Sequence, residues 1–139
     1  MSITPDFEQL GFYTHAGAMH ILALFSGAEQ PLERLYVTLS TVEPTPYMSS
    51  ADLIEPGERI ETINQVDWAV AGGTIYNQHT LSWTAGDDWD PVVGWAVLDS
   101  SELGRILWAG KMDPITGDVT FTQGQMAFSI SITDWALES

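Results

Sequence analysis

Residues 89–110, WDPVVGWAVLDSSELGRILWAG, decide the fold of this chain. They contain two apolar runs, residues 92–98 and 106–109, which are joined by a polar segment that includes Gly104. Two such runs separated by a short polar turn are typical of a β-hairpin. Successive side chains of a strand point to opposite faces, and here both faces of each run are apolar. We therefore expect both strands to be covered on both sides and to form the centre of a core.

Strict alternation also predicts which side chains of the hairpin share a face. In the first run, Trp95 and Val97 fall on one face and Val92 falls on the other. In the second run, Ile106 and Trp108 fall on the same face. Together with the last strand pattern of the chain, these runs give the side chains that we expect to organise the core: Trp95, Val97, Ile106, Trp108, Phe128 and Ile130.

Further strands are predicted on both sides of the hairpin. Residues 35–42, LYVTLSTV, alternate as a half-buried strand does. Residues 126–133, MAFSISIT, give the clearest alternation in the chain, with one core face and one face that is wet or lightly covered. Weaker strand signals occur at residues 60–70, 74–76, 81–83 and 119–121. About seven or eight short strands with regular turn signals predict a mainly β protein, an antiparallel β-sandwich.

Residues 1–30 are predicted to be a helical segment packed on the same domain. Thr4 followed by Pro5 is typical of a helix start, and Gly27 is placed to end the helix. Apolar residues recur between them at roughly helical spacing: Phe7, Leu10, Ala18, Ile21, Leu22 and Phe25. We expect this helix, kinked or split by its glycines, to lie over the β core or to reach a neighbouring subunit. Residues 31–139 then form the sandwich domain, and 139 residues suffice for one domain only.

The composition is strongly acidic. The chain has 19 acidic and four basic residues, so its formal net charge is -15. Nucleic-acid binding depends on lysines and arginines that displace counterions from phosphates, so neither nucleic acid nor an anionic membrane is an expected partner. The simpler interpretation of the acidity is that it keeps a β-rich protein soluble and prevents association of strand edges.

The cellular context follows from what the sequence lacks. There is no cysteine, which excludes disulfides and thiolate metal sites. The start, MSITPDFE, has no basic region of the kind that opens a signal peptide, and the apolar run at residues 16–28 is interrupted by His20 and too short to span a bilayer. We expect a soluble protein that folds in a cytoplasm.

The sequence contains no pattern that predicts catalysis. Asp87, Asp88 and Asp90 could bind calcium through their carboxylates, but they lack the spacing of a known calcium loop, so a solvated turn is the preferred interpretation. His15 and His20 are five positions apart and do not form the usual helical zinc pair. Nucleophile motifs and phosphate-binding loops are also missing. We expect neither an enzyme nor a cofactor.

Two regions are candidates for contact with a partner. The loop at residues 43–57 is long and rich in proline, which is typical either of a functional loop or of a mobile surface loop. Aromatic residues left exposed can fill a protein interface or stack on sugar rings. The candidate partner-binding residues are Tyr47, Met48, Trp135 and Leu137, and a carbohydrate-binding module that uses Trp68 and Trp135 is an alternative.

Several segments of the chain resemble a group of small structural proteins of tailed bacteriophages. They are LYVTL at residues 35–39, WDPVVGWAVLD at 89–99, GRILWAG at 104–110, GDVTF at 117–121 and GQMAFSI at 124–130. Members of this group are often described as tail-fibre proteins, and relatives act as capsid decoration or cement proteins. The resemblance implies a virion component without enzymatic activity, assembled in the host cytoplasm.

The expected partners, given this resemblance, are the major capsid protein or other virion subunits, together with further copies of the chain in a homo-oligomer. The acidity favours the outer surface of a capsid over contact with packaged DNA. The preferred hypothesis is therefore a capsid decoration or cement protein that stabilises the capsid. A tail or tail-fibre component is the alternative within the virion.

Overall fold

The structure is a computed structural model that describes residues 11–129, with only the backbone described at residues 128–129. In chain order its elements are β1 (Phe12–Tyr13), α1 (His15–Ser26), β2 (Arg34–Ser40), a 3-10 turn (Ser50–Asp52), β3 (Ile60–Ile63), α2 (Asn64–Asp67), β4 (Trp68–Ala71), β5 (Thr74–Asn77), β6 (Leu81–Trp83), β7 (Val92–Leu98), β8 (Ile106–Ile115), β9 (Val119–Phe121) and β10 (Phe128–Ser129). Every strand pair in this part of the chain is antiparallel. The prediction of a mainly β, antiparallel protein is confirmed.

The predicted hairpin forms the centre of a five-stranded sheet with the order β1-β8-β7-β2-β3. Strand β7 lies between β2 and β8, and Trp95 and Val97 in its middle are at most 1% exposed. The turn of the hairpin is closed by Asp99, whose backbone N–H donates to the carbonyl of Arg105 (3.2 Å) and whose carboxylate accepts from the Arg105 N–H (2.7 Å). The hairpin and its central position in the core are both confirmed.

A β-bulge in β8 changes the faces on which its side chains lie. Trp108 pairs with Val97, but the next pair along β7 is Leu98 with Ile106, so Leu107 is an extra residue. Trp108 consequently packs in the same cluster as Val97, whereas Ile106 packs with Leu98 on the opposite face. The prediction that Ile106 and Trp108 share a face is therefore wrong, because one inserted residue reverses the alternation that follows it.

A second irregularity affects the start of β7. The register shifts between Val92 and Gly94, and Val92 packs in the same cluster as Trp95. The prediction that Val92 and Trp95 lie on opposite faces is wrong for the same reason.

Two smaller sheets, with the orders β10-β5-β4 and β6-β9, pack against the central sheet through aromatic side chains. The rings of Trp68 in β4 and Trp108 in β8 meet edge to face with centroids 5.1 Å apart. Phe121 in β9 meets Trp95 in β7 in the same way at 6.4 Å. One buried cluster therefore joins strands of all three sheets, and aromatic side chains supply much of its apolar area.

Residues 60–70 contain two strands instead of the one expected. Strand β3 belongs to the central sheet and β4 to the three-stranded sheet, and α2 makes the turn between them. The carboxylate of Asp67 accepts a hydrogen bond from the Ile63 N–H (2.7 Å), which closes this turn. The predicted turn at Gly72 and Gly73 is confirmed, since both glycines have positive φ angles of 59° and 79°, as a tight hairpin requires.

Helix α1 is shorter than predicted. Residues 12–13 pair with β8 as β1, and the helix begins only after Thr14, whose hydroxyl caps it by accepting from the Gly17 N–H (3.0 Å). A continuous helix from Thr4 is therefore excluded, while Thr4 itself lies outside the described residues. Gly27 ends the helix as predicted, with the positive φ of 79° that favours glycine.

The last strand pattern is described only in part. Met126 and Ala127 are both buried, at 0% and 1% exposure, so the face expected to be wet or lightly covered is fully buried at Ala127. Gly11, next to β1, donates its N–H to the Ala127 carbonyl (2.6 Å). Phe128 pairs through its backbone with Ile75 in β5, and the prediction for Ile130 lies outside the described residues.

Candidate protein-interaction surface

Helix α1 presents apolar side chains to solvent. Its sequence, HAGAMHILALFS, contains no Asp, Glu, Lys or Arg, although the chain has a net charge of -15. The helix buries Gly17 and His20. Met19, Leu22 and Phe25 are 52%, 51% and 83% exposed. Single exposed apolar residues are ordinary, but three on one uncharged helix are typical of a surface that contacts another protein.

The loop after β2 extends this surface at the start of the helix. Tyr47, which is 84% exposed, stacks on the ring of His15 with centroids 5.5 Å apart. The His15 N–H donates to the carbonyl of Pro46 (2.8 Å), which fixes the loop against the helix. We call the set Tyr47, His15, Met19, Leu22 and Phe25 the α1 patch. His15, Met19 and Leu22 follow one another at spacings of four and three residues, so they lie along one face of the helix.

The N-terminal end of α1 is held rigidly on β8. The hydroxyl of Thr14, which is buried, bonds to the carbonyl of Ile106, and the Thr14 N–H donates to the carbonyl of Leu107 (3.1 Å). Gly17 lies directly against the backbone of Leu107, where a Cβ atom would collide with the carbonyl oxygen. Because the inner face of the helix is fixed in this way, the α1 patch on its outer face is preorganised.

The C-terminal end of α1 is held by an ionic network. The guanidinium of Arg105 donates to both carboxylate oxygens of Glu29 (2.7 and 3.1 Å) and to Asp99 (2.7 Å). The imidazole of His20, in the helix, lies 3.0 Å from the same Glu29 carboxylate. The hydrogen bond from Arg105, followed by that with His20, lowers the pKa of Glu29 to about 2. The hydrogen bond with Glu29, followed by that with Asp99, raises the pKa of Arg105 in turn.

An open acidic groove of about 850 Å³ lies elsewhere, beside the β7–β8 turn. Its carboxylates include Glu55 and Glu61. Glu55 pairs with the buried guanidinium of Arg59 (2.8 Å), and Glu61 accepts hydrogen bonds from Arg34 (3.0 Å) and Tyr36 (3.1 Å). Burial acts to raise the pKa of Glu55, but hydrogen bonds with Arg59 and Thr38 and the charge of Arg59 outweigh it, so the pKa is lowered. These ion pairs and hydrogen bonds connect loops and strands of the protein, so their role is structural.

The other predicted sites are placed as follows. Trp68 is only 4% exposed and donates its indole N–H to Thr62 (2.8 Å), so it is not available to stack on a sugar. Within residues 11–129, which include Asp87, Asp88 and Asp90, no three acidic or histidine side chains are grouped so that they could hold a metal ion. No helix in that range is both long enough and apolar enough to cross a membrane.

Of the candidate partner-binding residues, the structure describes two. Tyr47 is exposed at the end of the α1 patch, whereas Met48 is half-buried and packs against the cluster that contains Ala96 and Leu98. Trp135 and Leu137 lie outside the described residues.

The sequence left open whether the apolar residues of this helix, which include Leu22 and Phe25, pack on the core or reach a neighbouring subunit, and Met19 was not among them. The signal that could have revealed the exposed residues is the absence of a polar face. A 12-residue helix with apolar side chains on more than one face cannot bury all of them against one sheet.

Comparisons with known proteins give the chain no family. A scan against models of protein families produced no match, and no curated protein matches its sequence significantly.

Proposed function

We propose that the protein is a structural component of a tailed-phage virion, a capsid decoration or cement protein that binds coat subunits through the α1 patch. The single observation that carries the proposal is the exposure of Met19, Leu22 and Phe25 on an uncharged helix, and of Tyr47 in the loop beside it, in a strongly acidic protein. The buried centre of a protein interface is depleted in charge and enriched in aromatic residues and methionine, as this patch is.

The proposed mechanism is attachment by a rigid block. We propose that the three sheets form an antiparallel β-sandwich, which the contacts between Trp68 and Trp108 and between Trp95 and Phe121 support. A block of this kind that buries an apolar patch across a joint between coat subunits would resist their separation when the capsid is under internal pressure.

The charge distribution supports a position on the outside of a particle. All four basic residues are paired with carboxylates: Arg34 with Glu61, Arg59 with Glu55, Arg105 with Glu29 and Asp99, and Lys111 with Glu43. The 19 acidic residues exceed the four basic ones by 15, so the surface would be repelled by packaged DNA.

The resemblance to phage structural proteins concerns the core more than the proposed interface. The segments at 89–99 and 104–110 supply β7 and β8, which are buried at the centre of the fold. The α1 patch lies outside those segments. The resemblance therefore supports a virion component, while the patch supports the way in which it is attached.

The proposal is tested by reconstitution on particles of the source phage that lack this protein. We expect these particles to release DNA at a lower temperature than complete particles, and purified wild-type protein to restore the loss. Leu22→Asp should bind at least about tenfold more weakly and fail to restore it, because a charge in an interface centre is desolvated without a partner. Val66→Asp is the matched control, since Val66 is similarly exposed (57%) but lies on α2.

Two outcomes would contradict the proposal. If particles that lack the protein are as heat-stable as complete ones, the cement role is rejected. If an antibody against the protein labels the tail instead of the head, the protein belongs to the tail or tail fibre.

A further inference from the structure

Strand β4 lies at one edge of the three-stranded sheet, and among the described residues it pairs with β5 alone. A two-residue glycine turn joins the two strands, so Ala71 and Thr74 form the first pair beside the turn. In such a hairpin the first pair exchanges both of its backbone hydrogen bonds, and the next pair, Val70 with Ile75, exchanges none. The N–H and C=O of Val70 therefore point away from β5, to the outer edge of the sheet.

The far end of the same hairpin gives the same orientation. Gln78 donates its backbone N–H to the carbonyl of Asp67 (2.7 Å), so this pair is hydrogen-bonded too. Bonded and non-bonded pairs alternate along an antiparallel ladder, and Val70 is three positions beyond Asp67, so it belongs to a non-bonded pair. The outward carbonyl of Trp68 accepts from the Gln78 side chain (3.2 Å). Within residues 11–129 no turn, loop or side chain bonds to the outward groups of Val70, so the open edge is centred there.

The outer strand of the central sheet differs from β4, because it is protected against pairing with another chain. This strand is β3, and its Ile63 N–H donates to the carboxylate of Asp67 (2.7 Å). It also carries the charged side chain of Glu61, which is bonded to Arg34 (3.0 Å). Charged side chains and covered backbone groups are usual ways of blocking an edge strand. The four residues of β4, WAVA, carry no charge, and Val70 is 73% exposed.

The distribution of charge makes this edge compatible with a second copy of the chain. Two copies each carry a net charge of -15, so they repel each other across most of their surfaces. Residues 68–86, which begin with β4, contain no Asp, Glu, Lys or Arg. The carboxylate of Asp67, the nearest acid before them, is paired with His79 (2.8 Å). Two β4 strands can therefore lie side by side without placing like charges opposite each other.

The edge is also complementary to itself. When a two-fold axis passes beside Val70, each copy donates its Val70 N–H to the Val70 carbonyl of the other copy. The two valine side chains then lie directly opposite each other, so the exposed apolar surface of each is covered. In this register Ala69 of one copy lies opposite Ala71 of the second copy, and side chains this small do not obstruct the approach of the strands.

We propose that β4 is a homodimer interface, at which two copies pair their edges antiparallel about Val70. The three-stranded sheets of the two copies then become one continuous sheet across the dimer. Because β4 has only four residues, the interface is small, and the dimer should dissociate on dilution. The interface does not include the α1 patch, so it is separate from the proposed attachment to coat subunits.

Single cysteines test this pairing directly, because the chain contains no cysteine of its own. Residues of a hydrogen-bonded antiparallel pair have Cα atoms about 5.5 Å apart, a distance that a disulfide spans. Val70→Cys should therefore cross-link two copies on mild oxidation, giving a band at twice 15.3 kDa without reductant. Ala71→Cys is the matched control: it is exposed on the same strand but lies opposite residue 69, so it should stay monomeric. A cross-link formed equally by both variants, or by neither, would overturn the proposal.

Analytical ultracentrifugation gives a second readout without engineered thiols. The mass of the wild type should rise from 15.3 kDa towards twice that value as its concentration increases. Val70→Lys should stay monomeric, because two like charges would meet at the axis, whereas Ile54→Lys, with the same change in charge at a similarly exposed residue (57%) outside β4, should dimerise as the wild type does. A wild type that is monomeric throughout, or a Val70→Lys variant that dimerises equally well, would reject the proposal. Neither experiment uses phage particles, so the proposed virion function stands or fails separately.

Discussion

A single guanidinium, that of Arg105, joins three separate parts of the chain. It binds Asp99 across the β7–β8 turn and Glu29 beyond the end of α1, and Glu29 also holds His20. The pKa of Glu29 is about 2 in the folded protein, below its ordinary value of 4.5. A carboxylate whose pKa is lowered by folding contributes stability above its ordinary pKa, and this contribution is lost as the pH falls through the folded value.

This linkage gives a prediction for Glu29→Gln. The variant should have a lower Tm than the wild type near neutral pH, and the difference should shrink as the pH falls from about 4.5 to about 2. The titratable and charged groups around this carboxylate are His20, Asp99 and Arg105. Thermal unfolding followed by circular dichroism across this range measures the effect, at low concentration because the sequence pI is about 4.1.

The matched control for this prediction is Glu43→Gln. Glu43 pairs with Lys111, but both side chains are 60% exposed, so removal of the pair should change the Tm little at any pH. A difference between Glu29→Gln and the wild type that stays constant down to pH 2 would contradict the assigned role of Glu29.

At the scale of one element, α1 is positioned by close contact with β8. Its inner face can approach the strand only because residue 17 is a glycine, and the approach brings Thr14 within hydrogen-bonding distance of β8. The outer face is left with Met19, Leu22 and Phe25, so the geometry that seats the helix also creates the α1 patch.

The contact predicts that Gly17→Ala destabilises the protein. Alanine is the better helix former by about 1 kcal/mol, but its Cβ would collide with the Leu107 carbonyl, and crowding of this kind costs about 1–3 kcal/mol or more. We expect a net loss in the free energy of unfolding, measured by urea denaturation. Gly27→Ala is the control: it meets nothing within 4 Å and should lose only the roughly 1 kcal/mol of its positive φ.

A rise in the free energy of unfolding of Gly17→Ala would contradict this prediction. If Gly17→Ala is more stable than the wild type, helix propensity is the dominant effect, and α1 cannot be packed as closely on β8 as the structure has it.

At the scale of the whole molecule, self-repulsion among the acids opposes folding. The chain has 19 acidic residues against four basic ones, and every basic residue is already paired. Salt screens the repulsion among exposed acids more effectively than it weakens partly buried pairs such as Arg59 with Glu55.

The Tm should therefore rise when sodium chloride is increased from about 10 mM to about 0.15 M, a range over which the screening length falls from about 30 Å to about 8 Å. Differential scanning calorimetry measures the shift, and sucrose at the same osmolality serves as the uncharged control. A Tm that falls with salt would mean that the ion pairs contribute more than the repulsion costs.

The sequence by itself determined that the protein is mainly β and which two strands lie at its centre. The apolar runs at residues 92–98 and 106–109 predicted the central hairpin, because period-two patterns and turn residues act locally. The positive φ at Gly27, Gly72 and Gly73 was predictable for the same reason.

Only the tertiary structure decided which faces the residues of β8 take and which side of α1 is exposed. The bulge at Leu107 separates Ile106 from Trp108, although local alternation places them together. Met19, Leu22 and Phe25 are more apolar than Gly17 and His20, which α1 buries, so their exposure depends on which face of the helix packs on β8 and not on their own chemistry. Burial is a property of what packs on a surface, and that partner lies far away in the sequence.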